Sequence, residues 1–391
     1  MLKQIEGSYG VAEVVAMCRP NVISAYPITP QTHIVEDLSL IVGQRKLDAE
    51  FVNVESEFSA ASVVLGASAA GARAYTATSS QGLLLMSEVV YCIAGMRLPI
   101  VMTCANRAIS APLSIWNDQQ DSMALRDAGW IQLHAEDNQE AADLHIQAFK
   151  IAEQTFLPVM VCMDGFVLTH AYEPVDIPEQ KEVDDFLPSF KPKHIVDPNY
   201  PRGIGLFADP RFYLETRYIL HRAMEKSEKT IKKVSADFAK TFGRDSGGFI
   251  KTYKLEEADL AIISMGSVVG TIKDLIDQLE EEGKKVGLLQ ICSYRPFPRQ
   301  EIYHALKDKM NIVVLEKSIS LGRGGILASD VRWSFPRAEK RDRNISSFIA
   351  GLGGRNIPMD DLRYMVEKVE KEPVEIEFLG LKKELIAKKD L

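Results

Sequence analysis

The feature that most narrows what this chain can fold into is an alternation. Short apolar runs of strand length are separated repeatedly by stretches with helical spacing. Asn21–Tyr26, Phe51–Val54, Arg73–Thr78, Leu98–Thr103, Trp130–His134 and Pro158–Met163, the last of the series, read as strands. Residues 8–18 read as a small-residue helix. Gln31–Val42 recurs at Ile34, Leu38 and Ile41, and Gln81–Ala94 at Leu83, Met86, Val90 and Ile93. Ser56–Gly71, rich in Ala, Ser and Gly, and Gln139–Thr155 complete the helices. Such a chain builds βαβ units, and therefore a parallel sheet with helices on both faces.

The pattern places an α/β domain at 1–185. Residues 186–255 differ: prolines at 188, 192, 198 and 201 lead into a long charged helix from about Pro210 to Phe242. This is read as a connecting arm, half buried on a partner or on the first domain. A second α/β domain, 256–370, has strands near Ala261–Ser264, Val286–Ile291, Ile312–Glu316 and Ile345–Ala350, with helices Val268–Glu281 and Arg299–Lys307. The charged tail, 371–391, is an interaction strap or a disordered end.

Composition removes several functions. The net charge of −8 argues against nucleic acid as a partner. No apolar run approaches the roughly 20 residues that cross a bilayer, and the N-terminus is short and mixed, so a cytoplasmic protein without a leader is expected. The five cysteines (18, 92, 104, 162 and 292) form no C-x-x-C, and the seven histidines show no H-x-x-x-H. No metal or iron–sulfur cluster is therefore expected on this chain alone. His145 is read as a helix-surface residue.

Two strand ends carry the chemistry. Ser24–Thr32 contains Pro27 and Pro30, which stiffen a strand-to-helix crossing. Thr29 fits an N-cap and Pro30 the first helical turn, but ligands in wound α/β sheets also sit at carboxyl ends of strands. About thirty residues on, Phe51–Glu57 delivers Glu55 and Glu57 to the same kind of edge. Glu57 suits either a helix N-terminus capped by Ser56 or a buried catalytic carboxylate beside small neighbours. The loop 106–122 is long enough to suggest function. Arg107, just past a strand end, could grip a carboxylate or be a solvated surface residue. Asn117–Asp121 lacks EF-hand spacing and is read as hydrogen-bonding scaffold. Ser79–Gly82 reads first as a helix cap and second as a ligand contact. The glycine clusters at 322–325 and 351–354 are not G-x-G-x-x-G, so a nicotinamide dehydrogenase lacks its fingerprint.

Together, in order, Tyr26-Pro27-Ile28-Thr29-Pro30, Glu55-Ser56-Glu57, Thr78–Leu83, Asn106-Arg107-Ala108, Trp116–Ser122, Asp164-Gly165-Phe166, Met265-Gly266-Ser267, Tyr294–Pro298 and Gly351–Arg355 resemble the alpha subunit of the multi-subunit 2-oxoacid:ferredoxin oxidoreductases. The resemblance implies two parallel-sheet α/β domains: a pyrimidine-type thiamine-diphosphate-binding domain and a transketolase C-terminal-like domain. It implies thiamine diphosphate shared with a beta subunit, and Mg²⁺ and [4Fe–4S] clusters in the beta, gamma and delta partners. The reaction implied is CoA-dependent oxidative decarboxylation of a 2-oxoacid, pyruvate first, to an acyl-CoA, with electrons passed to ferredoxin. Branched-chain acids and 2-oxoglutarate are the alternatives, as is a non-catalytic scaffolding subunit. By the same resemblance Glu57 faces the aminopyrimidine; Ile28, Thr29, Ser80 and Gln81 contact cofactor; and Thr29 and Arg107 lie beside the substrate carboxylate. An oxalate-using branch carries Arg where this chain has Thr29, which argues against oxalate. The chain lacks both the Gly-Asp-Gly cofactor signature and a cluster-binding cysteine set, as half of an active site would.

Overall fold

The computed structural model describes residues 1–192, 194–201, 203–336 and 343–390. These residues fall into two compact units. One is Met1–Ile250 with Cys292–Pro298; the other is Lys251–Ile291 with the described residues from Arg299 onward.

In chain order the first unit contains β1 (Leu2–Glu6), α1 (Gly7–Met17), β2 (Val22–Ser24), α2 (Thr32–Gly43), β3 (Glu50–Val52), α3 (Glu57–Ala69), β4 (Ala74–Thr78), α4 (Ser80–Leu85) and α5 (Ser87–Gly95). It continues with β5 (Val101–Asn106), α6 (Gln120–Ala124), β6 (Ile131–His134), α7 (Asn138–Thr155), β7 (Val159–Asp164), β8 (Tyr172–Asp176), α8 (Gln180–Phe186) and α9 (Tyr213–Phe242). Strands β6-β7-β5-β4-β2-β3 form a parallel sheet, and Ser293–Arg295 adds an antiparallel edge beside β6. From β2 the chain first crosses to β3 on one side, then returns through α3 to β4 on the other. Strand order therefore reverses at β2 and β4, and their carboxyl ends flank a crevice. On one face α1, α2, α7 and α9 bury Val15, Ile34, Leu38, Phe149 and Val234. On the other, α3 and α5 bury Val64, Val90 and Ile93 beside Trp130.

Several expectations are corrected. Val159–Asp164 is not the last strand of this unit: Tyr172–Asp176 follows and pairs antiparallel with Leu2–Glu6 in a separate ribbon. Both are largely solvent-facing, so neither shows a clear apolar run. The expected helix 81–94 is two helices meeting at Met86. Helix α8 had no apolar periodicity long enough to register. His145 is fully buried rather than on a helix surface, because α7 is enclosed by the sheet and by α9. Its ring bonds Thr103 Oγ1 and the Ala141 carbonyl, each at 2.6 Å, and burial pushes its pKa down to about 4, so it is neutral.

The second unit takes β9 (Ile250–Tyr253), β10 (Leu260–Ser264), α10 (Val268–Glu281) and β11 (Val286–Ile291). Past Ser293–Arg295, labelled β12, come α11 (Arg299–Leu306), β13 (Asn311–Glu316), α12 (Ile326–Ser334), β14 (Asn344–Ile349), α13 (Met359–Lys371) and β15 (Glu377–Phe378). The sheet order is β15-β14-β13-β10-β11-β9. The tail thus contributes a short strand parallel to β14, and Val374 and Leu379 join the core. Helices α12 and α13 had not been read from the sequence. Among the described residues, no helix is long and apolar enough to cross a membrane.

Helix α9 lies against α7 and closes the core of the first unit through Ile231, Val234 and Phe238. Phe238 is fully buried, edge-on to Phe186 at 5.6 Å and tilted over Phe242 at 4.4 Å. Phe238→Ala should therefore cost about 3–5 kcal/mol, the usual loss for an aromatic cavity, read as a lower urea midpoint. An unchanged midpoint would mean that α9 is a detachable arm.

Candidate active site

The site is built where parallel strands end. After β2 the backbone runs through Ala25 to Pro30 and enters α2 at Thr32. Gln31, fully buried, fixes this crossing: its Oε1 accepts from Ile28 N (3.3 Å) and its Nε2 donates to the Ala77 carbonyl after 2.8 Å, tying the β2 exit to β4. Thr29 is not the helix cap. Its side chain is exposed, Ile28 is half buried, and Gln31 precedes the first helical residue.

β3 ends at Val52, and the next residues leave the strand, so the two carboxylates separate. Glu55 is exposed and accepts from Ser59 Oγ at 2.6 Å, which holds its pKa below the usual value. Glu57 is turned inward and only 7% exposed. Ser56 does cap α3, accepting from Ser59 N at 3.2 Å, so the cap is Ser56 and Glu57 is free for other work. No hydrogen bond to Glu57 exists among the described residues. Its carboxylate lies against Gly82 and Thr78: a methyl group at Gly82 would come within 2.6 Å of both Glu57 Oε1 and Thr78 Oγ1. Thr78 Oγ1, Ser79 Oγ and Gln81 Nε2 are buried nearby in sequence on the β4–α4 turn, also without partners among the described residues. Buried polar groups are normally paired, so this group of orphans, beside a residue that must be glycine, marks a cradle for a polar ligand.

Asp121 holds the far wall. It is fully buried; Oδ2 accepts from Ser80 N (2.9 Å) and Arg107 N (3.0 Å), and Oδ1 from Asn106 Nδ2 and Ser122 N, both 2.8 Å. Burial pushes its pKa up to about 7 against the pull of these four donors. One carboxylate thus joins the turn after β4 to the turn after β5. It holds Ser80 at φ +47°, a left-handed conformation that a non-glycine residue adopts only when held there. The Ser80 hydroxyl is spent within the chain on Ala108 O and Gln81 Oε1. Arg107 is 6% exposed, so it is not a solvated surface residue. Its Nε donates to Ser114 O (3.0 Å) and its Nη1 to Thr29 O (2.9 Å), leaving Nη2 for a ligand. Burial lowers its pKa while the neighbouring Asp121 supports the charge.

The domain model for "Pyruvate flavodoxin/ferredoxin oxidoreductase, thiamine diP-bdg" matches residues 13–236, and that for "Pyruvate:ferredoxin oxidoreductase core domain II" matches 258–362. The chain belongs to the pyruvate:ferredoxin oxidoreductase family. It is 48% identical to pyruvate synthase subunit PorA of Methanosarcina barkeri, over 98% of this chain and 97% of that one. With the PorA of Methanocaldococcus jannaschii the identity is 49% over 95% of each. With ketoisovalerate oxidoreductase subunit VorA of Pyrococcus horikoshii it is 40% over 94% of each. Among solved structures, 2-oxoglutarate:ferredoxin oxidoreductase from Magnetococcus marinus shares the fold at a TM-score of 0.75 and 21% identity, over 94% of this chain and 65% of that one. A split-gene transketolase shares it at 0.57 and 14%, over 94% and 98%.

In this member of the family the structure joins Thr29, Arg107 and Ser80 through backbone bonds, and separately brings Glu57 to Thr78 and Gly82. Sequence reasoning passed over Gln31; its reading of Asp121 as hydrogen-bonding scaffold agrees with the bonds Asp121 makes, without having named their partners. A buried acid directly after a Gln-Gln pair gives no local signal of what it will bind.

Two outcomes follow for Asp121. Replacing it with Asn turns one oxygen into a donor facing two backbone N–H groups or their equivalents, so Asp121→Asn should cost roughly 1–3 kcal/mol in urea unfolding. Between its ordinary value of 3.8 and about 7, the folded chain holds a proton that the unfolded chain has released. The stability this group contributes is therefore complete below about pH 4, declines as pH rises through 7, and is flat above. That slope should be absent in the variant.

Proposed function

We propose that this chain is the alpha-type subunit of a multi-subunit pyruvate:ferredoxin oxidoreductase, and that with its partners it converts pyruvate and CoA to acetyl-CoA and CO₂ while ferredoxin takes the electron pair. The observation that carries the reading is Glu57: a buried carboxylate without a side-chain partner among the described residues, at the start of the helix that leads from β3 to β4 in a thiamine-diphosphate-binding family domain.

The residues present fit the cofactor's pyrimidine end. Glu57 would hold a proton at its carboxylate against the ring nitrogen, with Gly82 leaving room for that approach. Ile28 would supply apolar contact, and Gln81 Nε2 a free donor. Thiamine diphosphate, when bound, supplies the nucleophilic carbon and the electron sink. Ser80 contributes by position, since its hydroxyl is already engaged. Arg107 would offer Nη2 to the substrate carboxylate, with the Thr29 hydroxyl beside it. Both are held in register by the Arg107–Thr29 bond itself.

Beta, gamma and delta subunits are the partners of this reading. They would provide the diphosphate and Mg²⁺ site, the [4Fe–4S] clusters and the contact with ferredoxin, in the cytoplasm. The missing Gly-Asp-Gly signature and five cysteines that are single in sequence support that division. So do relatives named as subunits. Pyruvate is preferred over a branched-chain acid because PorA relatives reach 49% identity and VorA relatives 40–41%.

The test is the assembled complex, assayed for CoA-dependent reduction of ferredoxin on a panel of 2-oxoacids. Glu57→Gln keeps shape but cannot carry the proton. It should assemble normally while kcat falls by about 10²–10⁴-fold, with Glu55→Gln as a near-neutral control. Arg107→Ala should lower kcat/KM for pyruvate roughly 10- to 150-fold, the worth of a charge-assisted hydrogen bond, mostly through KM. An active Glu57→Gln complex would leave the chain a scaffold. Higher kcat/KM on 2-oxoisovalerate than on pyruvate would reassign the substrate.

A further inference from the structure

A second cluster stands outside this site and is used by none of the chemistry above. Glu6 ends β1, His33 is the second residue of α2, and His170 follows β7 on the loop toward β8. Glu6 Oε1 and His33 Nδ1 lie 2.6 Å apart, and the His33 and His170 rings stack with centroids at 4.7 Å. One donor atom from each of the three residues falls within 4.8 Å of the other two.

The three segments are already bound to one another. Gly7 N donates to Ala171 O (3.1 Å), Ser8 N to Thr169 O (3.0 Å), and Ser8 Oγ to the same carbonyl (2.8 Å). Gly7 makes the approach possible: a methyl group there would lie 2.2 Å from Leu168 O. His170 is held by one nitrogen, its Nδ1 bonded to Thr169 Oγ1 at 2.7 Å, which leaves Nε2 as the ring's other nitrogen. Thr169 Oγ1 is itself fixed by Phe166 N (2.8 Å), and the Phe166 ring packs on His170 at 4.8 Å. A histidine whose second nitrogen is held by a neighbour is the arrangement metal-ligating histidines adopt. Glu36 and Asp37, on the same turn of α2, add negative charge that reaches His33.

We propose that Glu6, His33 and His170 form a binding site for one divalent transition metal of the zinc class. Two imidazoles and a carboxylate suit such an ion and leave a fourth position open. Zinc–ligand distances of about 2.0–2.2 Å put tetrahedral donors roughly 3.3–3.6 Å apart, so Glu6 Oε1 and His33 Nδ1, now at 2.6 Å, would part while any donor pair nearer the 4.8 Å limit closes, within reach of side-chain rotation. The metal would replace the Glu6–His33 hydrogen bond. It would also clamp the loop after β7, whose Gly165 packs against Pro30 and bonds Asn106 O (3.0 Å), at the wall of the active site. This inference stands independently of the proposed reaction.

The test uses the full chain, stripped with a chelator, in a Cys92→Ser background because that thiol is exposed. Zn²⁺ is titrated calorimetrically and Co²⁺ by its visible ligand-field absorption. One equivalent should bind, and binding should raise the thermal midpoint. His33→Ala, at a half-exposed position, and Glu6→Gln should each weaken binding by more than the roughly 10–100-fold typical of outer-shell changes. His170→Ala should do the same. All three should keep the metal-free midpoint. His221→Ala, which removes an exposed histidine 3.4 Å from Glu225 on α9, should bind as the parent does. Absence of a saturable first equivalent, or parental affinity in both His33→Ala and His170→Ala, would overturn the proposal.

Discussion

The active-site edge depends on one buried carboxylate. Asp121 accepts hydrogen bonds from four nitrogen donors and from Cys104 Sγ (3.6 Å), two of them from backbone N–H groups belonging to different strand-end turns. Neither turn would hold its shape alone. Ser80 occupies a left-handed conformation, and Arg107 starts a loop without regular structure until α6. Charge-assisted bonds to a carboxylate inside low-dielectric protein are strong, and leaving the donors unmet is costly. Asp121 thus converts two strained or irregular segments into one wall, and the guanidinium of Arg107 extends that wall to Thr29.

The opposite side is built by leaving space. Glu57 reaches the crevice because α3 starts one residue after Ser56, which takes over the capping duty. Gly82, lacking a Cβ, then leaves room beside the carboxylate and Thr78 Oγ1. A helix dipole at α3 favours the negative charge where it stands, so the structural and catalytic readings of this position are compatible. The dipole stabilises Glu57 at the edge, and the lack of a partner among the described residues is what the proposed catalytic role rests on.

Much of this was legible in the sequence, for a physical reason. In a wound sheet, function gathers at carboxyl strand ends, and strand ends are marked by the switch from apolar run to Pro, Ser or Gly. That locates Thr29, Glu57, Ser80 and Arg107 without knowledge of their contacts. Their depth was not legible. Arg107 is buried only because a seventeen-residue stretch, Asn106–Ser122, folds back over it, and that closure rests on Asp121. His145 was misjudged because it faces the sheet, bonding Thr103 on β5, and that face of α7 is set by strands distant in sequence. The Glu6–His33–His170 cluster escaped a search by spacing because its members come from three segments that only tertiary hydrogen bonds assemble. Local pattern sees what one turn or one strand can do; it is blind to residues that meet through topology.

The contrast among buried carboxylates sharpens the assignment of Glu57. In the second unit, Glu316 ends β13 and is almost fully buried. It accepts from Ile326, Leu327 and Ala328 N–H at the start of α12 and from Ser318 Oγ, at 2.8–3.1 Å. Gly325 is there so that the helix can come this close, since a methyl group on it would lie 2.2 Å from Glu316 Oε1. Asp121 is met by as many donors in the first unit. Where this fold buries a carboxylate for structure, it surrounds it with N–H groups, because an unmet buried charge costs roughly several kcal/mol. Glu57, at the first residue of α3, is also buried, and among the described residues its carboxylate has none of these donors. A chain that satisfies such a group twice leaves it without a partner once among the described residues, which is the observation behind the role proposed for Glu57.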